Sequence, residues 1–117
     1  MQIEIKSVLY DLQRAISLIE EFTLDADFAE YQSNAMLRAA VERQFEIIGE
    51  AVKRLSEMNP DLANRIRERP RIIGFRNQLI HGYFVIDDRV VWDVIRTKLP
   101  ILAQDVRMLL QDTEETE

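Results

Sequence analysis

The most informative stretch of this chain is Arg76-Asn77-Gln78-Leu79-Ile80-His81-Gly82-Tyr83. It contains the single histidine of the sequence, and an arginine, an asparagine and a tyrosine lie close to that histidine. Gly82 is placed to end a helix, because glycine readily adopts the left-handed conformation that often follows the last helical turn. Pro70 suits the first position of the same helix, where its missing N–H leaves no hydrogen bond unmade. The sequence therefore predicts a helix from about Pro70 to His81 with polar groups at its end.

The geometry of that helix limits how its polar groups can cooperate. A helix turns by about 100° per residue, so Arg76 and His81 point about 140° away from each other. Asn77 and His81, one helical turn apart, share a face. An Arg–His site therefore requires long side chains that converge at the helix end, or two copies of the stretch. A two-fold dimer would supply the second copy, because its axis presents the same surface twice.

On both sides of this stretch, apolar residues recur at the spacing of helices that bury one face. The first predicted helix runs from about Ile3 to Phe22, and a longer second helix runs from about Phe28 to Met58. Asp27 is a candidate N-cap for the second helix. Asn59-Pro60 ends it, because the residue before a proline is disfavoured in the helical region. The apolar stripe predicted for the first helix consists of Val8, Leu12, Ala15, Ile16, Ile19 and Phe22.

A short helical turn near Asp61 to Arg67 and a last helix complete the pattern. Asp87 or Asp88 can cap the last helix. Pro100 is expected to bend it, because proline donates no backbone hydrogen bond. No long alternating segment indicates a strand. Four main helices with one apolar stripe each predict an all-α four-helix bundle with a short additional helix.

Length and composition set the class of protein. The 117 residues suit one domain, which we place at residues 1–111, followed by an acidic tail at residues 112–117. The sequence has no cysteine, which removes disulfides, thiolate metal sites and cysteine nucleophiles. No apolar stretch approaches the roughly 20 residues that a membrane helix requires, and Met1 to Lys6 lacks the layout of a secretory signal. We expect a soluble, cytoplasmic protein.

The charge distribution is uneven along the chain. A net charge of −6 counts against a nucleic-acid partner. Five arginines nevertheless lie between residues 65 and 76, opposed there only by Glu68, whereas the tail after Gln111 carries acidic residues and no basic ones. The sequence predicts that base is concentrated next to the candidate site and acid away from it. A solvated helix face is the alternative interpretation of the arginines, which are Arg65, Arg67, Arg69, Arg71 and Arg76.

The stretch from Arg76 to Tyr83 matches the Arg-x4-His-x-Tyr signature of HepT-like toxins, and the chain resembles this family of the HEPN superfamily. The segment from Glu42 to Ala51 resembles the middle of the family's second helix. The run from Val91-Trp92 through Leu99-Pro100 resembles its last helix, proline included. A bare Arg-x4-His occurs by chance in many proteins, whereas the full motif with these flanks is specific, and the likeness covers nearly the whole chain.

The resemblance implies a dimeric HEPN-type bundle that cuts RNA as an endoribonuclease, with the RNA 2′-hydroxyl as nucleophile. It implies no metal and no cofactor, and a shared cleft that both subunits' motifs face. HepT toxins pair with a small nucleotidyltransferase antitoxin, MntA, which silences the toxin by AMP transfer to the motif tyrosine. On this sequence that tyrosine would be Tyr83.

The residue types fit this chemistry. The imidazole of His81 can take a 2′-proton or protonate a leaving oxygen. The guanidinium of Arg76 can hold a phosphate with two donors. Asn77 is expected to orient His81 or to hold a phosphate oxygen. We therefore predict Arg76, His81 and Asn77 as catalytic residues and no metal ligands.

Two carboxylates of the second helix are candidates for support of the site. Glu46 and Glu50 are four positions apart, so they lie on one helical face. They are candidates to bind and position Arg76, or to pair with Arg43 or Arg54. Ordinary helix-surface carboxylates remain the alternative interpretation.

Three functions remain open at this point. The first is an RNA-cleaving toxin. The second is a non-catalytic HEPN subunit that binds a nucleotide or serves as the scaffold of a minimal nucleotidyltransferase. The third is a plain helical dimerisation protein in which His81 belongs to the core. The presence of Arg76, Asn77, His81 and Tyr83 together favours the first, because a scaffold does not need all four.

Overall fold

The computed structural model describes residues 3–81 and 86–115, with the backbone alone for residues 114 and 115. This part of the chain is helical, and it contains no strand. The all-α prediction is therefore confirmed for these residues. In chain order the helices are α1 (Ile3–Thr23), α2 (Phe28–Ser33), α3 (Ala35–Met58), α4 (Pro60–Ala63), α5 (Arg69–His81), α6 (Asp88–Asp93), a π-helical turn (Val94–Lys98) and α7 (Leu99–Glu115).

The core lies between α1, α3 and α7. Helix α1 packs against both α3 and α7 along its length. The predicted stripe of α1 is buried up to Ile19, but Phe22 is 38% exposed because it lies in the last turn, at the edge of the bundle. Helix α3 contributes a matching apolar face, which consists of Val41, Phe45, Ile48, Ala51, Val52 and Leu55. None of the helices in the described ranges has the length and apolarity that a membrane span requires.

The predicted second helix is interrupted at Asn34, so the expectation of one helix from Phe28 to Met58 is wrong. The backbone of Asn34 is extended, with φ −108° and ψ 97°. Its side-chain oxygen accepts a hydrogen bond from the backbone N–H of Leu37 at 3.0 Å, and this contact starts α3. Asparagine competes with helix continuation in this way, because its side chain satisfies a backbone donor at a helix start.

Three other helix starts have a side-chain cap. The predicted N-cap Asp27 accepts a hydrogen bond from the backbone N–H of Glu30 at 2.8 Å. Asn59 caps α4 through the N–H of Leu62 at 3.1 Å, with Pro60 in the first turn. Asp87 caps α6 through the N–H of Arg89 at 2.9 Å. These contacts satisfy N–H groups that have no partner within the helix.

The last helix changes its hydrogen-bond pattern immediately before Pro100. The N–H of Leu99 donates to the carbonyl of Val94, five residues back, which is the pattern of a π-helical turn. Because Pro100 has no N–H, the ordinary ladder cannot continue through this position. The bend that the sequence predicts at Pro100 stays a prediction, and the change in hydrogen bonding before this residue is the π-helical turn from Val94 to Lys98.

Helix α5 matches the predicted bounds closely, since it runs from Arg69 to His81. It has no buried residue, and its extensive packing is against α3. Phe75 contacts Phe45 of α3 edge to face, with ring centroids 5.2 Å apart. Gly82, the predicted end of this helix, lies outside the described residues.

Helix α7 continues beyond the predicted start of the acidic tail. Thr113 is fully buried, and its hydroxyl donates to the carbonyl of Leu109 at 2.7 Å. The first residues of the predicted tail therefore belong to the last helix. The domain boundary at residue 111 stays a prediction.

Candidate active site on helix α5

Arg76 is anchored on the surface of α3. Its side chain is only 16% exposed, and Nη2 donates to Oε2 of Glu50 at 2.5 Å. Nη1 donates to Oδ1 of Asn77 at 3.2 Å. Its Nε is buried and has no hydrogen-bond partner among the described residues. The guanidinium therefore has a defined direction, and Nη1 and Nη2 carry its hydrogen bonds.

The stem of Arg76 crosses α3 at Gly49. A Cβ atom at Gly49 would lie 2.1 Å from Cβ and 2.5 Å from Cγ of Arg76. Gly49 is buried in the middle of α3, where glycine is less favourable than alanine by about 1 kcal/mol. Sequence reasoning missed this contact. The available signal was a glycine inside a long predicted helix, which often marks a close approach.

His81 is the last residue of α5, and its side chain is exposed. The possibility that His81 is sealed in the core is therefore wrong. Asn77 is also exposed. Its amide oxygen accepts a hydrogen bond from Arg76, which is the contact that the structure gives for this side chain. The catalytic roles of Arg76, Asn77 and His81 stay predictions. Tyr83, predicted to receive AMP, lies outside the described residues.

The two candidate supporting carboxylates have different partners. Glu50 binds Arg76 across the α3–α5 contact. Glu46, one turn earlier on α3, pairs instead with Arg43 at 3.1 Å. Among the described contacts, Glu50 is thus the carboxylate that reaches the predicted arginine, and Glu46 pairs within its own helix.

A groove of about 520 Å³ runs beside the end of α5 and between α1 and α3. Ile80, the neighbour of His81, and Glu50, the partner of Arg76, both line it. Its remaining charged residues are of both signs, namely Asp11, Arg14, Arg43, Glu46 and Arg54. The groove can therefore receive a polar ligand beside Ile80 and Glu50, which adjoin the predicted site residues.

The arginine-rich segment before α5 is largely neutralised by α7. Arg67 binds Asp105 through its backbone N–H at 3.0 Å and through its guanidinium at 2.9 Å. The side-chain hydrogen bond to Asp105 raises the pKa of Arg67 further above its usual range. Arg65 pairs with Asp112. Two of the five arginines are therefore opposed by carboxylates of α7, in addition to Glu68 within the segment.

No group of three or more histidine, aspartate and glutamate side chains is placed to hold a metal ion within residues 3–81 and 86–113. The candidate site consists instead of one guanidinium, one amide, one imidazole and one carboxylate on two neighbouring helices. Such a set can bind a phosphate and exchange protons with its oxygens.

Comparison with known proteins identifies the family. The family model described as ribonuclease HepT-like matches residues 12–109. The chain is 33% identical over 114 residues to "Putative RNase MJ0125" of Methanocaldococcus jannaschii, with 96% of each chain covered. It is 35% identical to "Putative RNase MJ1380" of the same organism, over 91% of this chain and 96% of the relative. It is 37% identical to "Probable ribonuclease HepT" of Thermococcus cleftensis, over 83% and 87% of the two chains. No solved structure matches significantly. The chain belongs to the HepT-like family of HEPN proteins.

Proposed function

We propose that this protein is a metal-independent endoribonuclease, the toxin of a HepT/MntA-type toxin–antitoxin pair. Family membership supports a ribonuclease activity, since matched relatives carry that name. The observation that carries the proposal is on α5, where a guanidinium anchored by Glu50 and an exposed imidazole lie on the same helix.

Each residue would have a distinct role in the reaction. A deprotonated imidazole of His81 removes the proton of the RNA 2′-hydroxyl, and the oxygen attacks the adjacent phosphorus. The bond from phosphorus to the 5′-oxygen breaks, and a protonated imidazole supplies the proton to that leaving oxygen. The products are a 2′,3′-cyclic phosphate and a 5′-hydroxyl. Arg76 stabilises the negative charge that builds on the non-bridging oxygens.

The geometry of α5 favours a site made from two copies of the chain. Arg76 and His81 differ by about 140° in direction and by about 7.5 Å along the helix axis. A homodimer that faces two α5 ends toward one phosphodiester would present two guanidinium groups and two imidazoles. One imidazole would act as base and the other as acid.

Silencing by AMP transfer is the regulatory part of the proposal. The phenol oxygen of Tyr83 would attack the α-phosphorus of ATP on an MntA-like nucleotidyltransferase, with pyrophosphate as leaving group. Tyr83 is two residues beyond His81, so the added phosphate and adenosine would exclude RNA by charge and by volume.

The test of the activity compares RNA cleavage by the wild type, Arg76→Ala and His81→Ala, with a chelator present. We expect a loss of about 10²–10⁴-fold for His81→Ala and of about 10²–10³-fold for Arg76→Ala. Arg107→Ala, which removes an exposed arginine of α7, is the matched control and should cleave normally. Unchanged cleavage by both site variants would contradict the assigned roles.

The test of silencing uses tandem mass spectrometry after incubation with the nucleotidyltransferase and ATP. The sequence has three tyrosines, which are Tyr10, Tyr31 and Tyr83. Tyr31 is 1% exposed, whereas Tyr10 is 46% exposed and serves as the internal control for non-specific transfer. AMP on Tyr83 with loss of cleavage supports the proposal. AMP on Tyr10 alone, or none, contradicts this part of it.

A further inference from the structure

We infer that Gly49 is a positioning residue of the candidate site, because its missing side chain lets the stem of Arg76 lie against α3 and so fixes the direction of the guanidinium. This inference rests on the proposed function, in which Arg76 must meet a phosphate in a defined orientation. Gly49 itself would touch neither the RNA nor the reacting atoms.

The steric part of the inference depends on a backbone-determined distance. A Cβ atom at Gly49 would lie 2.1 Å from Cβ of Arg76, and real Cβ atoms essentially never have contacts shorter than 3.0 Å. The position of a Cβ atom is set by its backbone, so no rotamer of Arg76 relieves this overlap. Any side chain at residue 49 must therefore displace α5 relative to α3.

The displacement would act on the site because α5 has few other supports. Helix α5 has no buried residue, and α3 provides its extensive packing. Glu50, the residue of α3 that follows Gly49, binds the Arg76 guanidinium at 2.5 Å. A shift of about 1 Å at a reacting group can reduce a rate by roughly 10²-fold. A methyl group at Gly49 is thus expected to misplace the guanidinium while the core between α1, α3 and α7 remains assembled.

The buried Nε of Arg76 supplies a readout that does not depend on RNA cleavage. This atom is shielded from solvent and has no hydrogen-bond partner among the described residues. Its N–H proton should therefore exchange slowly with water in the wild type. If Gly49 positions the stem of Arg76, a side chain at residue 49 will expose this N–H and accelerate its exchange.

The experiment compares Gly49→Ala with Gly74→Ala in the purified full-length chain. Gly74 lies on α5, and a Cβ atom added there would meet no heavy atom within 4 Å, so it is the matched control. We expect Gly49→Ala to lower kcat for RNA cleavage at least tenfold, and to shift and broaden the Arg76 Nε–H signal in an NMR spectrum. That signal is assigned with Arg76→Lys. Gly74→Ala should change neither quantity.

A second pair of variants separates positioning of Arg76 from general damage to the fold. Gly49→Ala should lower the melting temperature by about 5 °C or more, as overpacking does in a small domain. In an Arg76→Gly background, which lacks the opposing Cβ, the same change should be neutral or stabilising, because alanine favours a helix over glycine. Equal destabilisation in both backgrounds would overturn the inference.

The outcomes also distinguish this inference from the proposed function. If the wild type cleaves no RNA, the proposed function fails, while the Nε–H signal and the melting temperatures still test the contact. If the wild type cleaves RNA and Gly49→Ala does so with the same kcat and an unchanged Nε–H signal, the positioning role of Gly49 is wrong and the proposed function stands.

Discussion

Helices α1 and α5 pack into the same bundle in two different ways. Helix α1 buries a continuous apolar face against α3 and α7, with Leu9, Leu12 and Ile19 fully enclosed. Helix α5 carries the predicted site residues and has no buried residue at all. It packs extensively on α3 with apolar residues that are only partly buried, and its specific contacts there include the Phe45–Phe75 pair and the passage of Arg76 over Gly49.

This difference separates the stability of the bundle from the geometry of the candidate site. Burial of apolar surface is non-directional, whereas the contacts of Arg76 with Glu50, Asn77 and Gly49 define the place of its guanidinium. Changes in α1 should therefore act mainly on the free energy of unfolding. Changes in α5, or beneath it on α3, should act mainly on the site.

The largest expected effect is a loss of stability from a cavity in the α1 core. Leu12→Ala should lower the free energy of unfolding by about 3 kcal/mol, because it removes a fully buried side chain and leaves a void. Leu24→Ala is the matched control, since Leu24 is 78% exposed, and should change it by less than about 0.5 kcal/mol. Urea denaturation measures both. Similar values for the two variants would contradict the described core.

A smaller effect is expected from the aromatic contact that holds α5. Phe75→Leu keeps an apolar side chain but removes the edge-to-face contact with Phe45, which should lower the free energy of unfolding by about 1 kcal/mol. Amide exchange in α5 should accelerate more than exchange in α1, because α5 can open locally. Phe22→Leu, at a partly exposed position of α1, is the control. Equal acceleration in both helices would remove the distinction between them.

Loss of the Glu50–Arg76 ion pair should lower the RNA-cleavage activity moderately and leave the stability of the bundle unchanged. Glu50 is 65% exposed on its side chain, so solvent screens the pair and its loss should reduce kcat by no more than about fivefold. Glu50→Gln tests this, with Glu46→Gln as control because Glu46 pairs with Arg43. A larger loss for Glu46→Gln than for Glu50→Gln would show that the wrong carboxylate has been assigned to Arg76.

The smallest expected effect is a pH dependence of stability that arises from Glu42 of α3. Partial burial, and then the charge of Asp88, raise the pKa of Glu42 above its usual range. The native state therefore binds this proton more tightly than the unfolded chain does. The contribution of Glu42 to stability is largest at low pH, and it decreases as the pH rises from the usual carboxyl range through the raised pKa.

Glu42→Gln should therefore remove a small slope from the plot of unfolding free energy against pH and leave the protein slightly more stable at neutral pH. Glu57→Gln changes an exposed carboxylate of the same helix and is the control. A steeper slope in Glu42→Gln than in the wild type would have the wrong sign for a raised pKa.

Sequence periodicity was sufficient to predict the helices that an apolar stripe or residues at the helix ends define. The bounds of α1 and α5 agree with the prediction to within about one residue. An apolar stripe marks α1, and Pro70 and Gly82 mark the two ends of α5. The break at Asn34 was missed, since the residues on both sides continue an apolar pattern. Whether an asparagine caps a new helix or stays inside an old one depends on where the chain must turn in three dimensions.

A sequence pattern does not reveal the contacts around the candidate site, because they join residues that are distant in sequence. Arg67 and Asp105 are far apart in sequence, so a count of local charges found only Glu68 opposite the arginines. The approach of Arg76 to Gly49 is likewise a property of two packed helices. The family motif did identify Arg76 and His81 as residues of interest, and Glu50 was among the candidate partners of the arginine.

The most direct measurement is the cleavage of one short RNA, and of its copy with a single 2′-deoxynucleotide at the cut position, by the purified chain in excess chelator. An α5 site built from Arg76 and His81 predicts cleavage of the RNA to a 2′,3′-cyclic phosphate and no cleavage of the deoxy copy at that position. Cleavage of both, or cleavage only after a divalent metal is restored, would contradict it.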